Sequence, residues 1–395
     1  MPDSTGPIER PEVLAPAPGD PARIEAFIPT PCVQNHAAFI TPLPGGDLGC
    51  AWFGGTQEGI PDISVHFSRL APDADRWSRP VRLSDDPTRS EQNPLLFPTP
   101  DGAALWLLWT AQVGGNQDTA LIRRRISRDG GRSWGPIEDV IPEKPGYGTF
   151  IRSPIVANAR GEWLLPIWHC TRPAAGPWTG DLDTSSVLLS ADGGGSWEEC
   201  PVPDSTGCVH MSIVPWKGGS LLAFYRSRWA DNVYRSVSTD GGRSWSAPRP
   251  IALPNNNSSI MALTLASGAV ALIYNESSAA DATGRRLSLY DDIGGEAPAP
   301  APVTGHRAAF WGAPRAPLTI ALSEDGGLTW PYRRNLETGD GYCMTNNSKD
   351  RLNREFSYPS LCQTKDGALH LAYTYWRQAI KYVRIDEAWI RGAAA

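Results

Sequence analysis

The sequence predicts an all-β fold, a six-bladed β-propeller of four-stranded antiparallel blades whose ring is closed by an N-terminal strand. Three observations predict it. A strand, tight turn and strand recur around turn glycines at Gly45, Gly102, Gly161, Gly219, Gly268 and Gly367, spaced by 57, 59, 58, 49 and 99 residues. That spacing is too long for a solenoid coil and suits four-stranded sheets arranged radially. A second motif, Ser-x-Asp-Gly-Gly-x-Ser/Thr-Trp, follows four of these units, at Ser127 to Trp134, Ser190 to Trp197, Ser238 to Trp245 and Ser323 to Trp330. Finally, 39 Gly, 37 Pro and 16 Trp with only 20% charged residues describe many short strands joined by turns.

Taken in order, residues 1–21 are rich in Pro, Ala and Asp without apolar periodicity and read as a flexible leader, and 22–390 as a single propeller domain. Ala22 to Pro29 alternates apolar and polar residues but has no strand partner nearby in sequence. The last unit runs out after three strands near Ile385, so this early strand is placed to complete it and remove the exposed sheet edges. Between them each unit carries an apolar strand after its turn, as in Gly102-Ala-Ala-Leu-Trp-Leu-Leu-Trp109. In the Asp-Gly-Gly motif the aspartate accepts bonds from turn amides, the glycines supply positive φ, and the tryptophan packs the hairpin on its own sheet. A degenerate copy ends at Trp77. The long last gap holds an Ala/Pro/Gly-rich insertion at about 279–316 in blade five, and a second insertion falls at 336–356. Long loops in compact folds are commonly lids or binding loops.

Composition excludes several classes. A net charge of -6 without Lys/Arg blocks argues against nucleic acid as a partner. No apolar run approaches the ~20 residues that cross a bilayer, and the first residues lack a basic region followed by an apolar one, so no membrane partner and a cytoplasmic location are expected unless an export signal was removed. Seven cysteines without a Cys-x-x-Cys pair read as reduced, buried thiols rather than disulfides or a zinc site, and neither metal nor cofactor is expected.

The first strand of each propeller blade lines the central channel, so one register in all blades surrounds one cavity. Counting nine residues back from each turn glycine selects His36, Asn93, Arg152, His210, Ser259 and Tyr358, all polar and most leading into apolar strand. The second strands return to this rim with His169, Arg226 and Arg228, Asn275 and Glu276, and Arg377, while the Gly-rich loop after Phe53 carries Glu58 and Asp62. The insertions add His306, Arg307, Trp311 and Arg315, and Asn346, Asn347 and Glu355. Cations, carboxylates and a tyrosine therefore converge, with Trp311 a candidate to stack on a sugar ring. His66, in mid-strand, reads as structural.

These residues resemble the sialidase superfamily, the BNR/Asp-box six-bladed propellers, over about residues 30–385. The resemblance implies a tyrosine nucleophile opening the first strand of the last blade, which Phe356-Ser-Tyr-Pro-Ser-Leu matches through Tyr358. It implies an arginine ending a middle blade's second strand, matched by Arg226 in Leu221-Leu-Ala-Phe-Tyr-Arg-Ser227. It also implies an acid/base aspartate, best matched by Asp62 with Glu58 as rival, and a glutamate partner for the tyrosine, Glu276 or Glu355. The family's Arg-Ile-Pro arginine, which grips the substrate carboxylate, is absent where Gln34-Asn-His-Ala-Ala38 stands, and Arg152 is the candidate replacement.

The expected function is cleavage of a terminal glycosidic bond of a carboxylate-bearing sugar through a tyrosyl intermediate, with Arg152 and Arg226 clamping the carboxylate. The expected partner is a glycan or small acidic sugar. Two alternatives stay open: a polysaccharide lyase in which Asn93 or Arg152 neutralises a uronate and His36, His210 or Tyr358 takes its C5 proton, and a glycan-binding propeller without catalysis.

Overall fold

Short apolar strands punctuated by glycine turns fold into six antiparallel sheets set around one axis. The computed structural model describes residues 10–286, 288, 289, 293, 303 and 305–392. From the axis outward, blade one is Gln34–Pro42, Leu48–Gly55, Ser64–Leu70 and Val81–Arg82; blade two is Arg89–Pro98, Leu105–Val113, Asn116–Ser127 and Glu138–Ile141. Blade three is Tyr147–Ile151 with Val156–Ala157, then Trp163–Thr171, Thr184–Ser190 and Glu198–Pro201. Blade four is Cys208–Pro215, Leu221–Ser227, Asn232–Ser238 and Arg249–Pro254; blade five is Met261–Thr264, Val270–Asn275, Leu318–Ser323 and Tyr332–Glu337.

Blade six is built from both ends of the described chain. Phe356–Gln363, Leu369–Tyr375 and Ala379–Ile385 are completed by Asp20–Ile28, whose Ile24 pairs with Arg384 and Ile28 with Ile380. Ala15–Ala17 adds a fifth, outermost strand, and Leu14 N–H donates to the Asp75 carbonyl at 2.7 Å. Of the segment read as a leader, residues 1–9 lie outside the described residues. A five-residue helix, Glu387–Arg391, follows the last strand, capped by the Asp386 side chain. No helix among the described residues is long and apolar enough to cross a membrane.

All six turn glycines adopt positive φ, from +70° at Gly102 to +100° at Gly45, a conformation that costs other residues about 1–2 kcal/mol. The Asp-Gly-Gly motif is structural. In the copy at 127–134, Asp129 Oδ1 accepts from Ser127 Oγ at 2.7 Å and from the Ser133 amide at 2.9 Å. The second glycine also presses on the blade before it: a Cβ would stand 3.1 Å from Phe67 at Gly131, 2.8 Å from Leu164 at Gly242 and 2.7 Å from Phe224 at Gly327. Only glycine lets adjacent blades approach so closely.

The innermost strands are irregular at the selected register. Ladder pairing shifts between His36 and Phe39, Gln92 and Leu95, Val209 and Ser212, and Ser357 and Ser360. Within those bulges Ala37, Asn93, His210 and Tyr358 take φ of +59°, +50°, +51° and +50°. Blade three's inner strand is interrupted between Ile151 and Val156, where Arg152 sits. Bulges re-aim side chains and leave backbone groups outside the ladder. The register read from turn spacing is thus the place where blades two, four and six turn a residue out of the pleat, and blade one does so one residue later, at Ala37.

Much of the insertion expected at 279–316 lies outside the described residues. Its described part is tied to blades three and four: Ala309 N–H donates to Asp181 Oδ1 at 2.8 Å and Phe310 N–H to the Arg228 carbonyl at 2.8 Å. The 336–356 segment meets it where Arg315 N–H donates to the Gly341 carbonyl at 2.8 Å, and reaches blade one through a bridge between Gln57 and Asn347.

Candidate active site

Tyr358 stands at the centre of a ring of guanidinium groups. The bulge in Phe356–Gln363 turns it inward, and it is 8% exposed. Arg226 comes from the end of blade four's second strand and donates from Nη1 to the Tyr358 hydroxyl at 2.7 Å and to His210 Nε2 at 3.1 Å. Asn257, in a left-handed conformation before blade five, accepts from Arg226 Nε at 2.8 Å and donates to the Phe310 carbonyl at 2.9 Å. The guanidinium carbons of Arg152, Arg315 and Arg226 lie 5.6, 5.7 and 5.8 Å from the Tyr358 ring centre, cation–π distances.

Glu355 is the buried counter-charge. Its Oε1 accepts from Ser357 Oγ at 2.6 Å, Arg377 Nε at 3.0 Å and Arg315 Nη1 at 3.2 Å, while Oε2 has no protein partner. Burial alone raises its pKa, but the Arg315 and Arg377 charges outweigh burial and hold the carboxyl below its ordinary value, so it is ionised at neutral pH. Arg377 also bonds Glu58 through Nη1, which brings Glu58 to the rim.

Both ring histidines are neutral. Burial first, then the arginines around them, holds His36 and His210 well below the usual imidazole value. His210 accepts from Arg226 on Nε2, so its Nδ1–H faces Ser259 Oγ at 3.1 Å, and its ring stacks on Trp168 at 4.2 Å. His36 Nδ1 lies 2.8 Å from Thr374 Oγ1 and 4.0 Å from Glu355 Oε1; its ring centre is 4.3 Å from that of Tyr358, and its buried Nε2 has no protein partner.

Charge does not balance here. Arg377 and Arg315 share Glu355 and Glu58, and Arg228 forms a buried 2.6 Å pair with Asp183. Arg152 and Arg226, 0% and 1% exposed, make no ion pair among the described residues. Five guanidinia against three carboxylates leave two positive charges in excess. Burial lowers Arg152 and Arg226 to about 10, so both stay protonated at neutral pH. An unpaired buried charge is costly, and an anion entering the ring relieves that cost.

The structure gathers Tyr358, Arg226, Arg152, His210, His36, Glu355, Arg377 and Glu58, with Arg228 and Trp311 at the edge. Trp311 is buried against Trp178, with Arg228 5.2 Å from its ring centre, so it walls the site rather than offering an open face to a sugar. Asn93 is buried at the equivalent bulge of blade two. Three expected residues lie elsewhere. Asp62 is exposed and staples its own loop, accepting from Thr56 Oγ1 at 2.6 Å and from the Thr56 amide at 3.1 Å. Glu276 accepts from Tyr274 and from Arg333, at 3.0 Å, on the outside of blade five. His169 turns outward to Glu199 at 2.6 Å. No hydrogen bond joins Tyr358 to Glu276 or Glu355 among the described residues. The site also contains residues that the repeat register does not select: Asn257 and Thr374, and Arg315, which the insertion supplies. The run Asn255-Asn256-Asn257, all buried, was the available signal for the first.

Comparison with known proteins agrees with this architecture. The sequence model of the family described as BNR repeat-like domain matches residues 46–371. Among solved structures, the Hadza microbial sialidase Hz136 superposes with a TM-score of 0.66 at 14% identity, covering 91% of this chain and 67% of its own. The intramolecular trans-sialidase from Ruminococcus gnavus, in complex with oseltamivir carboxylate, gives 0.65 at 13% identity over 90% and 95%. A protein of unknown function from Dyadobacter fermentans gives 0.66 at 16% identity over 92% and 99%. No curated protein matches the chain by sequence. At such identities the likeness is one of fold.

Proposed function

Starting from a chain that belongs to the BNR repeat-like family and folds as a sialidase-like six-bladed propeller, we propose that it is a glycosidase-like enzyme acting on the terminal, carboxylate-bearing sugar of a glycan, with Tyr358 as nucleophile. The observation that carries this reading is Arg226 bonded to the Tyr358 hydroxyl within a buried ring holding two excess positive charges. Arg226, Arg315 and Arg377 would address the sugar carboxylate, since charge-assisted and bidentate contacts favour arginine. A neutral phenol approaches an anionic sugar without the repulsion a carboxylate nucleophile would meet.

In this mechanism the Tyr358 oxygen bonds the anomeric carbon while the bond to the leaving oxygen breaks. The phenol proton passes to His36, whose ring centre lies 4.3 Å from that of Tyr358 and whose Nδ1 lies 4.0 Å from the ionised Glu355. Glu58, ionised against Arg377 in the resting site, is the candidate to take a proton from solvent and deliver it to the leaving oxygen, and water then releases the sugar from the tyrosyl ether. The test is a panel of aryl glycosides of sialic and hexuronic acids with matched neutral sugars, assayed with the unsubstituted protein and Tyr358→Phe. Turnover confined to acidic sugars and reduced on the order of 10³-fold or more in Tyr358→Phe supports the reading. Equal turnover of neutral glycosides, or an active Phe variant, refutes it.

One observation favours a second reading: His36 is neutral, and with its proton on Nδ1 its unpartnered Nε2 would be the base for C5 of a uronate. A lyase would release an unsaturated uronate, absorbing in the near ultraviolet, without consuming water. The same panel extended to uronate-containing oligosaccharides separates the two.

A further inference from the structure

Arg152, the expected clamp for the substrate carboxylate, already directs Nη2 and Nε to protein acceptors, while its buried Nη1 has no partner among the described residues. It rises from the break in blade three's inner strand and crosses the axis. Its Nη2 donates to the carbonyls of Ala38 at 2.8 Å, Tyr358 at 2.9 Å and Pro359 at 3.0 Å, and its Nε to Ser259 Oγ at 3.3 Å. One side chain of blade three thereby ties blades one, five and six.

The three carbonyls share a property. Ladder pairing skips from Ser357 to Ser360 in blade six and from His36 to Phe39 in blade one, so Tyr358, Pro359 and Ala38 sit where the bulges interrupt the ladder. A buried carbonyl without a partner costs about 1–3 kcal/mol, and Tyr358 adds the strain of φ +50°. A fully buried guanidinium without a carboxylate is equally unfavourable by itself. Through Nη2 the guanidinium satisfies those carbonyls, and together with Ser259 on Nε they offset part of its own burial cost.

We propose that Arg152 is a positioning residue: it holds the Tyr358 bulge, and so the phenol, in place across the channel, and does not grip the ligand. This rests on the reading of Tyr358 as nucleophile. It also assigns carboxylate recognition to Arg226, Arg315 and Arg377.

The test compares Arg152→Met with Arg226→Met in the full chain, by calorimetric titration with free sialic and hexuronic acids, by kinetics on the acidic aryl glycosides, and by hydrogen exchange of peptides covering 36–40 and 356–361. For Arg152→Met we expect binding of the sugar acid little changed, kcat lowered about 10²-fold as for a misplaced reacting group, faster exchange in both peptides, and partial recovery of kcat with added guanidinium ion. For Arg226→Met we expect lost binding and unchanged exchange. Loss of binding in Arg152→Met equal to that in Arg226→Met, or an undiminished kcat, overturns the proposal. If the unsubstituted protein turns over no acidic sugar, the glycosidase reading fails by itself and exchange decides the positioning role: unchanged protection of both peptides in Arg152→Met overturns it. Should Arg152→Met not fold, Arg152→Lys, which keeps the charge but loses the Nε contact, is read the same way.

Discussion

Removing the single negative charge from Glu355 while keeping its shape tests the electrostatics of the ring most directly. In Glu355→Gln the side chain still offers one acceptor, but three bonds, from Ser357, Arg315 and Arg377, lose the negative charge of their acceptor. Each such downgrade costs about 1 kcal/mol, the difference between a bond to a charged group and a neutral one. Arg377 retains Glu58, whereas Arg315 loses its only ion-pair partner among the described residues and becomes a third uncompensated buried cation. Breaking a buried pair from one side costs about 3–5 kcal/mol, and since the amide softens the loss we expect about 3 kcal/mol, read from the urea midpoint.

The pH dependence provides the sign. Glu355 is held below its ordinary value of 4.5 in the folded protein, so its stabilising contribution is fully present above 4.5 and disappears as pH falls through the lowered folded value. The gap between the two proteins should therefore be widest at neutral pH and close progressively in acid. Added sugar acid should also stabilise the variant more than the unsubstituted protein. A gap that is absent at neutral pH, or that does not narrow in acid, would refute the argument that this carboxylate is an ionised counter-charge.

Three further outcomes follow from named contacts. Glu58→Gln should weaken turnover of an acidic glycoside by roughly 10²-fold, the usual scale for a general acid, while Asp62→Ala should leave kcat/KM nearly unaltered because Asp62 staples an exposed loop; an equal loss in both would return Asp62 to the site. Gly102→Ala, at φ +70° with nothing within 4 Å, should cost about 1–2 kcal/mol of strain in chemical unfolding. Gly194→Ala, whose Cβ would stand 2.3 Å from Trp106, should cost about 1–3 kcal/mol more through overpacking, and equal effects at the two glycines would deny the contact between blades two and three.

The architecture was legible because its signals are local and repeated. Turn glycines mark a backbone need for positive φ, and the Asp-Gly-Gly box closes its bonds within seven residues, as Ser127 to Ser133 show. The inner register was legible for a related reason: a nearly constant strand length from turn to mouth puts the bulges of blades one, two, four and six within one residue of the same distance from their glycines. Parity accounts for two side chains the register did not bring in. On blade five's second strand Asn275 points inward, donating to the Phe356 carbonyl at 2.8 Å, so Glu276 faces outward. On blade three Trp168 faces His210, so His169 cannot. Arg226 and Arg228, two apart, share the inward face. The role of Arg315 was hidden for a different reason: it comes from an insertion outside the repeat, and no internal copy reports where such a loop lands.

The closing of blade six by Asp20–Ile28 has a consequence for when the site exists. Tyr358 belongs to a sheet assembled from strands more than three hundred residues apart, Ile28 pairing with Ile380, a long loop closure and an entropically slow one. Five blades can form from contiguous segments before it, and the phenol's neighbours Arg226, His210, Arg152 and His36 belong to blades one, three and four, so they surround Tyr358 only once blade six docks between blades five and one. The emergence of activity during refolding should therefore track ring closure rather than the growth of β-structure, making the proposed nucleophile a reporter of complete assembly.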